Sequence, residues 1–176
     1  MSGLSVGQRK IEVSLRWDPS APGTPAHHLD IVAATYRADA PLDQPDYLVH
    51  LDRRSPDGTI TLDRASNTGM GLGYDEVMTL ELNRLASAYA LVVVGVVIQQ
   101  PTAEKTFADI ANVGVRVREG HHELALHDFT DIPTASSATV SRFTRSSSGG
   151  WTFQNIFRGF DADPVAFARL MGGVSS

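Results

Sequence analysis

The 176-residue sequence contains no cysteine, and this absence excludes several kinds of site. Without cysteine there is no disulfide framework, no thiolate nucleophile and no zinc site built on thiolates. A long apolar run is missing too: the longest, 91–98, is far shorter than the ~20 residues that cross a bilayer. The N-terminus lacks the charged segment and apolar segment of a secretory signal. We therefore expect a cytoplasmic protein that does not insert into membranes.

An excess of positive charge is also absent. Fifteen lysine and arginine residues stand against twenty aspartate and glutamate residues, which gives a formal net charge of −5. Because an acidic chain repels phosphate backbones, nucleic acid is not an expected partner. The hydrophobic fraction of 42% is typical of a globular protein with a sizeable core. No domain boundary or repeat is visible, so we expect residues 1–176 to form a single domain.

Short alternating segments make up most of the chain. Apolar and polar residues alternate in 10–17, 77–82 and 113–117, with the period of two that is typical of half-buried strands. The β-branched run 91–98 is typical of a central strand covered on both faces. Turn sequences separate these segments. The pattern predicts an all-β protein, an antiparallel β-sandwich of two sheets with about ten strands and one or two short helices.

Two helical segments are expected within this β pattern. Asp163 is a suitable N-cap and Pro164 suits the first helical position, so a short helix is predicted near the end of the chain. Thr102 predicts a helical turn that continues through Phe107. Both segments are short compared with the strands, so the fold class remains all-β.

A glycine-rich stretch, residues 66–76, is the main candidate for a site. Its three glycines alternate with other residues and are followed by Asp75 and Glu76. Glycines allow positive φ angles, so the backbone can fold tightly around something small. A loop rich in carbonyls and closed by carboxylates is typical of Ca²⁺ sites, although a long hairpin with a charged end explains the same residues. A phosphate-binding loop is disfavoured, because no Lys-Ser/Thr follows and the next segment is a predicted strand.

Several short segments follow one another in an order and with a spacing that match the pattern of a known family. They are Leu15-Arg16-Trp17-Asp18, His28-Leu29-Asp30, Asn67 to Glu76, Phe107 to Arg116, Phe143-Thr144-Arg145 with Trp151-Thr152-Phe153, and Gly159-Phe160. Together they resemble the TerD family, the tellurium-resistance and general-stress proteins of bacteria. Asn67 to Glu76 is similar to the family's Thr-Gly-x-Gly-x-Gly-Asp-Asp-Glu signature. The resemblance implies a β-sandwich that binds Ca²⁺ through acidic loops and is not an enzyme.

The chain departs from the family pattern at several acidic positions. His28 replaces the first aspartate of Asp-Leu-Asp, Ala65-Ser66 replaces an Asp-Asn pair, and Tyr74 replaces the first aspartate of Asp-Asp-Glu. Ca²⁺ takes six to eight oxygen ligands, so these replacements remove both charge and coordinating atoms. The imidazole of His28 offers a nitrogen, which hard Ca²⁺ disfavours.

Acidic side chains remain at three matched positions, Asp30, Asp75 and Glu76. We predict that these residues, loop carbonyls and water form a metal site that binds Ca²⁺ weakly or not at all. If no metal binds, Asp75 and Glu76 hydrogen-bond loop amides and preserve the shape of the loop. The sequence leaves weak binding and this alternative open.

The resemblance implies a stress-response protein of the tellurite-resistance type that acts through the protein partners of a stress-response complex. The alternative is a small-ligand or sugar-binding β-sandwich that uses aromatic residues of its last strand. These residues, which are most simply explained as core, are Trp151, Phe153, Phe157 and Phe160.

Other candidate sites are weaker. Catalysis is not expected, because no Gly-x-Ser-x-Gly motif exists and no nucleophile near His127-Asp128 has an identifiable base. The rings of His27 and His28 are expected to point apart, since neighbours on a strand face opposite sides. His28 and Asp30 share a face, so a transition-metal site there stays an alternative. The late arginines, including Arg142 and Arg145, are expected to be solvated.

Overall fold

The computed structural model describes residues 4–7, 9–50, 53–64 and 73–174. Within these ranges, strands make up two antiparallel sheets, which confirms the predicted all-β sandwich. In chain order the strands are β1 (Leu4–Val6), β2 (Ile11–Arg16), β3 (Leu29–Arg37), β4 (Tyr47–Val49), β5 (Ile60–Arg64), β6 (Glu76–Leu80), β7 (Tyr89–Ile98), β8 (Gly114–Glu119), β9 (His122–Asp128), β10 (Ser137–Arg145) and β11 (Trp151–Phe160). The six-stranded sheet has the order β1-β11-β10-β7-β3-β4, and the five-stranded sheet has the order β5-β6-β2-β8-β9.

The central strand of the six-stranded sheet is β7, as its β-branched sequence predicts. It pairs with β3 on one side and with β10 on the other. Val92, Val94 and Val96 face the core between the sheets, whereas Val93 and Val97 face a second apolar cluster on the outer side. A strand covered on both faces needs apolar residues at every position, which explains the unbroken run.

The core between the sheets follows the alternation read from the sequence. Ile11, Val13 and Leu15 of β2 are all fully buried there, and Met78 and Leu80 of β6 face them from the neighbouring strand. Each sheet therefore presents one apolar face to the other, as expected for an antiparallel sandwich.

The helix α1 (Pro164–Leu170) covers the outer face of the six-stranded sheet. It begins as predicted, since Asp163 accepts a hydrogen bond from the main-chain N of Ala166 at 2.9 Å and Pro164 occupies the first turn. Phe167 on α1 is fully buried against the sheet. Among the described residues, no helix is long and apolar enough to cross a membrane.

The helical turn predicted from Thr102 to Phe107 is wrong in position. The turn found there spans Phe107–Asp109. It begins after Thr106, whose main-chain N donates to the carboxylate of Asp109 at 2.9 Å. This hydrogen bond between the first and last residues of the segment fixes the start of the turn at Thr106 rather than at Thr102.

The glycine-rich stretch leads directly into β6. Its residues 66–72 lie outside the described residues. Gly73, at its end, has φ +77°, a conformation that side chains rarely adopt, which accounts for this glycine. The main-chain N of Asp75 then donates to the carbonyl of Leu15 at 2.8 Å, which ties the start of β6 to the end of β2. This contact fixes the position of Asp75 and Glu76.

Candidate functional site

Asp30, Asp75 and Glu76 lie together at one end of the sandwich, although they come from different sheets. Asp30 is near the start of β3 in the six-stranded sheet, and Glu76 begins β6 in the five-stranded sheet. The main-chain N of Ile31 donates to Glu76 Oε1 at 2.5 Å, so one hydrogen bond joins the two sheets beside Asp30. We call these three residues the acidic cluster. The structure brings them together, and their role as metal ligands stays a prediction.

All three carboxylates of the acidic cluster are removed from solvent. Asp30 is 1% exposed, Asp75 is 2% exposed and Glu76 is 0% exposed. Each carboxylate accepts a hydrogen bond that helps to offset the cost of its burial. Trp17 donates its main-chain N to Asp75 Oδ2 at 2.9 Å, and Gln99 donates its side-chain Nε2 to Asp30 Oδ2 at 2.7 Å. The cluster is thus built into the interior of the fold.

The burial of Glu76 changes its protonation. Burial, and then the negative charge of Asp30, raise the pKa of Glu76 to about 9, although the hydrogen bond from Ile31 acts in the opposite direction. A pKa raised this far favours the protonated form of Glu76 at neutral pH when no cation is bound. Protonation of Glu76 removes one of the like charges that would otherwise repel each other in the cluster.

The imidazole of His28 lies at the rim of the acidic cluster. Its Nε2 is 3.3 Å from Asp30 Oδ1, so the two side chains share a face as the sequence predicts. The ring of His27 points elsewhere, with Nδ1 3.0 Å from Lys105 Nζ. Burial and the charge of Lys105 lower the pKa of His27. The prediction that the two histidines do not converge is confirmed.

The donor set fits a calcium site only in part. Carboxylate oxygens are the ligands that a hard cation prefers. However, main-chain amides occupy one oxygen of Asp75 and one oxygen of Glu76. Within the described ranges, no three histidine, aspartate or glutamate side chains are grouped so that they could hold a metal ion. The described residues therefore supply a polar end but do not enclose a cation.

Comparison with known families assigns the chain. The model of the TerD domain matches residues 3–169, which is almost the whole sequence. The chain belongs to the TerD family. Two relatives align over similar lengths. The uncharacterized protein YceE of Bacillus subtilis is 24% identical, with 94% of this chain and 89% of that protein covered. The tellurium resistance protein TerD of Serratia marcescens is 22% identical, with 91% of this chain and 85% of that protein covered.

Solved structures support the same family and fold. A homologue of the telluride resistance protein TerD, SCO6318 from Streptomyces coelicolor A3(2), is 52% identical to this TerD-family chain, with a TM-score of 0.89. The alignment covers 93% of this chain and 97% of that one. The crystal structure of SAV2460, a protein of unknown function, is 55% identical with a TM-score of 0.92, and 97% and 100% of the two chains are covered.

Two members of the site were missed by sequence reasoning. Gln99 donates to Asp30, and the backbone of Trp17 donates to Asp75. In the β3–β7 ladder Asp30 pairs with Val97, which places Gln99 just beyond the end of the paired segment. Only this register shows that Gln99 lies within reach of Asp30, and no local pattern in the sequence gives the register.

The aromatic residues of β11 are core residues, as the simplest interpretation predicts. Trp151 and Phe153 are buried between the sheets, Phe157 packs against the same core, and Phe160 packs against the outer cluster. Phe157 and Phe160 are partly exposed, but both pack against these apolar clusters. The residues at 127 and 128 are also occupied: His127 Nε2 lies 2.7 Å from Asn155 Oδ1, and Asp128 accepts from the main-chain N of Thr130.

The prediction that the late arginines are solvated is wrong for two of them. Arg142 Nη1 donates to the carbonyls of Gly172 and Val174, at 3.0 and 3.1 Å. The guanidinium of Arg145 lies 4.6 Å from the ring centroid of Trp151 and donates to the carbonyls of Leu85 and Ala86. Long arginine side chains cross apolar surface to reach carbonyls, so charge alone does not predict exposure.

Proposed function

We propose that this TerD-family chain is a non-enzymatic stress-response protein of the tellurite-resistance type. In this proposal it acts in the cytoplasm through protein partners, and its calcium binding is weakened or lost. The observation that supports the proposal most directly is the acidic cluster, in which three buried carboxylates meet and each already accepts a hydrogen bond from the protein. The family and the named relatives supply the resistance type.

The weakening of calcium binding follows from the donors that the cluster offers. A cation must displace the proton of Glu76 before that carboxylate can act as a ligand, and this displacement reduces the apparent affinity at neutral pH. His28 and Tyr74 contribute no carboxylate at positions where the family pattern has aspartate. One oxygen of each of the three carboxylates already accepts a hydrogen bond, from Trp17, Ile31 or Gln99, which supports a structural contribution of the cluster beside any weak binding.

Other functions have less support. The proposal of no catalysis agrees with the separate engagements of His127 and Asp128, which leave no nucleophile–base pair at that position. The alternative of a sugar-binding or small-ligand surface on the aromatic strand has no observation in its favour, because those rings pack in the core.

The resistance role is tested by growth in tellurite. A bacterial strain that lacks its own TerD-family gene is complemented with the wild-type chain, with an empty vector and with Asp75→Asn. We expect the wild type to restore tolerance. We expect Asp75→Asn to fail, since the loss of charge weakens the contact with Trp17 that holds the loop end. If the strain with the wild-type chain tolerates tellurite no better than the strain with the empty vector, the proposed role is contradicted.

The calcium statement is tested by thermal unfolding. A ligand bound only by the folded state raises the unfolding midpoint. With about 1 mM Ca²⁺, the expected rise over a chelator control is less than about 2 °C, because a dissociation constant above that concentration gives little stabilisation. A rise above about 5 °C would show that the site binds Ca²⁺ well and that this part of the proposal is wrong.

A further inference from the structure

A groove on the outer face of the six-stranded sheet is a second candidate site, distinct from the acidic cluster. It is formed where α1 crosses the sheet beside β3, β4 and β7, and its cavity volume is about 400 Å³. Sites for small molecules in proteins usually have volumes of about 300–1,000 Å³. The groove is thus of the size of a small-ligand site, whereas the acidic cluster is a closed interior feature.

The walls of the groove are mainly apolar. They come from the sheet, from the edge strand β4 and from the helix, and their apolar members include Val32, Leu48, Val97, Val165, Phe167 and Ala168. Val165 also lines the groove, and 71% of this side chain is exposed to solvent. A ligand with an aliphatic chain would remove this surface from water, which is the main driving force for apolar binding.

The groove is held in shape by contacts behind its walls. Phe167 is fully buried, and the N-terminus of α1 is fixed by the hydrogen bond from Ala166 to Asp163. On the sheet side, the amide of Gln99 lines the groove and is fixed by its hydrogen bond to Asp30. A preformed cavity loses little conformational entropy when it binds a ligand, so these contacts favour binding.

The rim of the groove carries a cation suited to an acidic head group. Arg169 lines the groove and is exposed, and it has no hydrogen bond or ion pair with any other residue that the structure describes. A carboxylate on this guanidinium would form a charge-assisted, two-point contact. Asp43 also lines the groove and would repel a carboxylate. The head group is therefore expected to lie beside Arg169 and away from Asp43.

We propose that this groove binds a medium-chain aliphatic carboxylic acid. The aliphatic tail lies along Leu48, Val165 and Ala168, and the carboxylate contacts Arg169. A chain of about eight to ten carbons fits within a groove of this volume. The proposal is independent of the proposed function, because neither the apolar walls nor Arg169 belongs to the acidic cluster.

The test is a titration of the full chain with decanoate, monitored by methyl NMR in a buffer without divalent cations. We expect saturable shifts at Val32, Leu48, Val97 and Val165 and smaller shifts elsewhere. Arg169→Gln removes the charge at an exposed position, and we expect it to weaken decanoate binding about tenfold. Decanol, which lacks the carboxylate, is expected to bind the wild type about tenfold more weakly than decanoate.

Two further variants complete the test. Ala168→Phe fills the groove and is expected to abolish the saturable shifts, and its melting curve confirms that it is folded. Arg54→Gln, an exposed arginine outside the groove lining, is expected to bind decanoate like the wild type. The proposal is overturned if decanoate gives no saturable shifts, if Arg169→Gln binds it as well as the wild type does, or if decanol binds equally well.

Discussion

The molecule buries charge in two regions, and they are built in opposite ways. In the acidic cluster, three carboxylates of the same sign meet at one end of the sandwich. On the outer face, the half-buried guanidinium of Arg142 lies among neutral groups and donates to the carbonyls of Gly172 and Val174. Tyr36 lies beside this second region, and burial raises its pKa to about 12.

This difference indicates that the contacts of Arg142 are structural, whereas the acidic cluster is a candidate site. The charge of Arg142 is matched by carbonyl dipoles, so its contacts hold the end of the chain on the sheet. In the acidic cluster like charges are adjacent, and a proton on Glu76 is needed to relieve their repulsion. Groups placed at such a cost to stability are more frequent where a protein binds or reacts, which is why the cluster remains the candidate site.

The largest expected effect tests the acidic cluster through pH. The pKa of Glu76 is about 9 in the folded chain, against an ordinary value of 4.5. The stabilisation linked to this proton is fully present below the lower value and is lost as the pH rises toward the higher one. In Glu76→Gln the neutral amide replaces the protonated carboxyl. The stability of the wild type relative to this variant is therefore expected to fall by up to about 1.4 kcal/mol per pH unit in this window.

The measurement is urea unfolding of both chains between about pH 5 and pH 8. Glu104→Gln is the matched control, because Glu104 is exposed. It is expected to follow the wild type at every pH. Parallel stability curves for the wild type and Glu76→Gln would contradict the raised pKa.

The next effect tests the outer region. Arg142→Met keeps much of the apolar length of the side chain and removes the donor to Gly172 and Val174. We expect a loss of about 1.5–3 kcal/mol in the free energy of unfolding, the range for hydrogen bonds to a charged group. Arg54→Met, at an exposed position, is expected to change stability by less than about 0.5 kcal/mol. Equal stabilities of the two variants in chemical denaturation would show that Arg142 is not structural.

A smaller effect is expected from the packing around the same carbonyls. A Cβ atom at Gly172 would lie 2.2 Å from the carbonyl oxygen of Leu42 and 2.4 Å from the hydroxyl of Tyr36, whereas a Cβ atom at Gly173 would meet nothing within 4 Å. Gly172→Ala is expected to cost about 1–3 kcal/mol, the range for overpacking. Gly173→Ala is the matched control. If thermal unfolding gives the two variants the same midpoint, the close approach at Gly172 does not constrain the fold.

The smallest expected effect concerns how much burial and how much the charge of Asp30 raise the pKa of Glu76. Asp30→Asn removes the charge that acts on Glu76 and keeps an oxygen for Gln99. The pKa of Glu76 is expected to fall but to stay above 4.5, since burial is the larger cause. A pH titration of the Glu76 carboxyl carbon by NMR measures this, with the exposed Asp39→Asn as the control. An unchanged pKa would mean that Asp30 does not act on Glu76.

Much of the fold was predictable because it depends on local patterns. The alternation in β2 and the unbroken apolar run of β7 each follow from which faces of the strand are covered. The cap of α1 at Asp163 is also local. The helical turn at Phe107–Asp109 was misplaced because Thr102 and Thr106 are equally good caps by residue type, and only the contact with Asp109 distinguishes them.

The proximity of Asp30, Asp75 and Glu76 was predictable, but their burial and most of their partners were not. The family resemblance indicates Asp30, Asp75 and Glu76, yet the sequence does not show that Glu76 is fully buried beside Asp30. The contact of Gln99 with Asp30 depends on the pairing of β3 with β7, and the contacts of Arg142 depend on where the chain end lies. These contacts join residues far apart in the sequence, where local patterns carry no information.

The central claim is that the acidic cluster holds a proton where a calcium site would hold a cation. Isothermal titration of the wild-type chain with Ca²⁺ at neutral pH tests it most directly, with Tyr74→Asp as a variant that restores a carboxylate next to Asp75. We predict a dissociation constant weaker than about 1 mM, or no heat, for the wild type, and tighter binding for Tyr74→Asp. A wild-type dissociation constant of about 10 μM or tighter, the range of calcium sensors, would contradict the account.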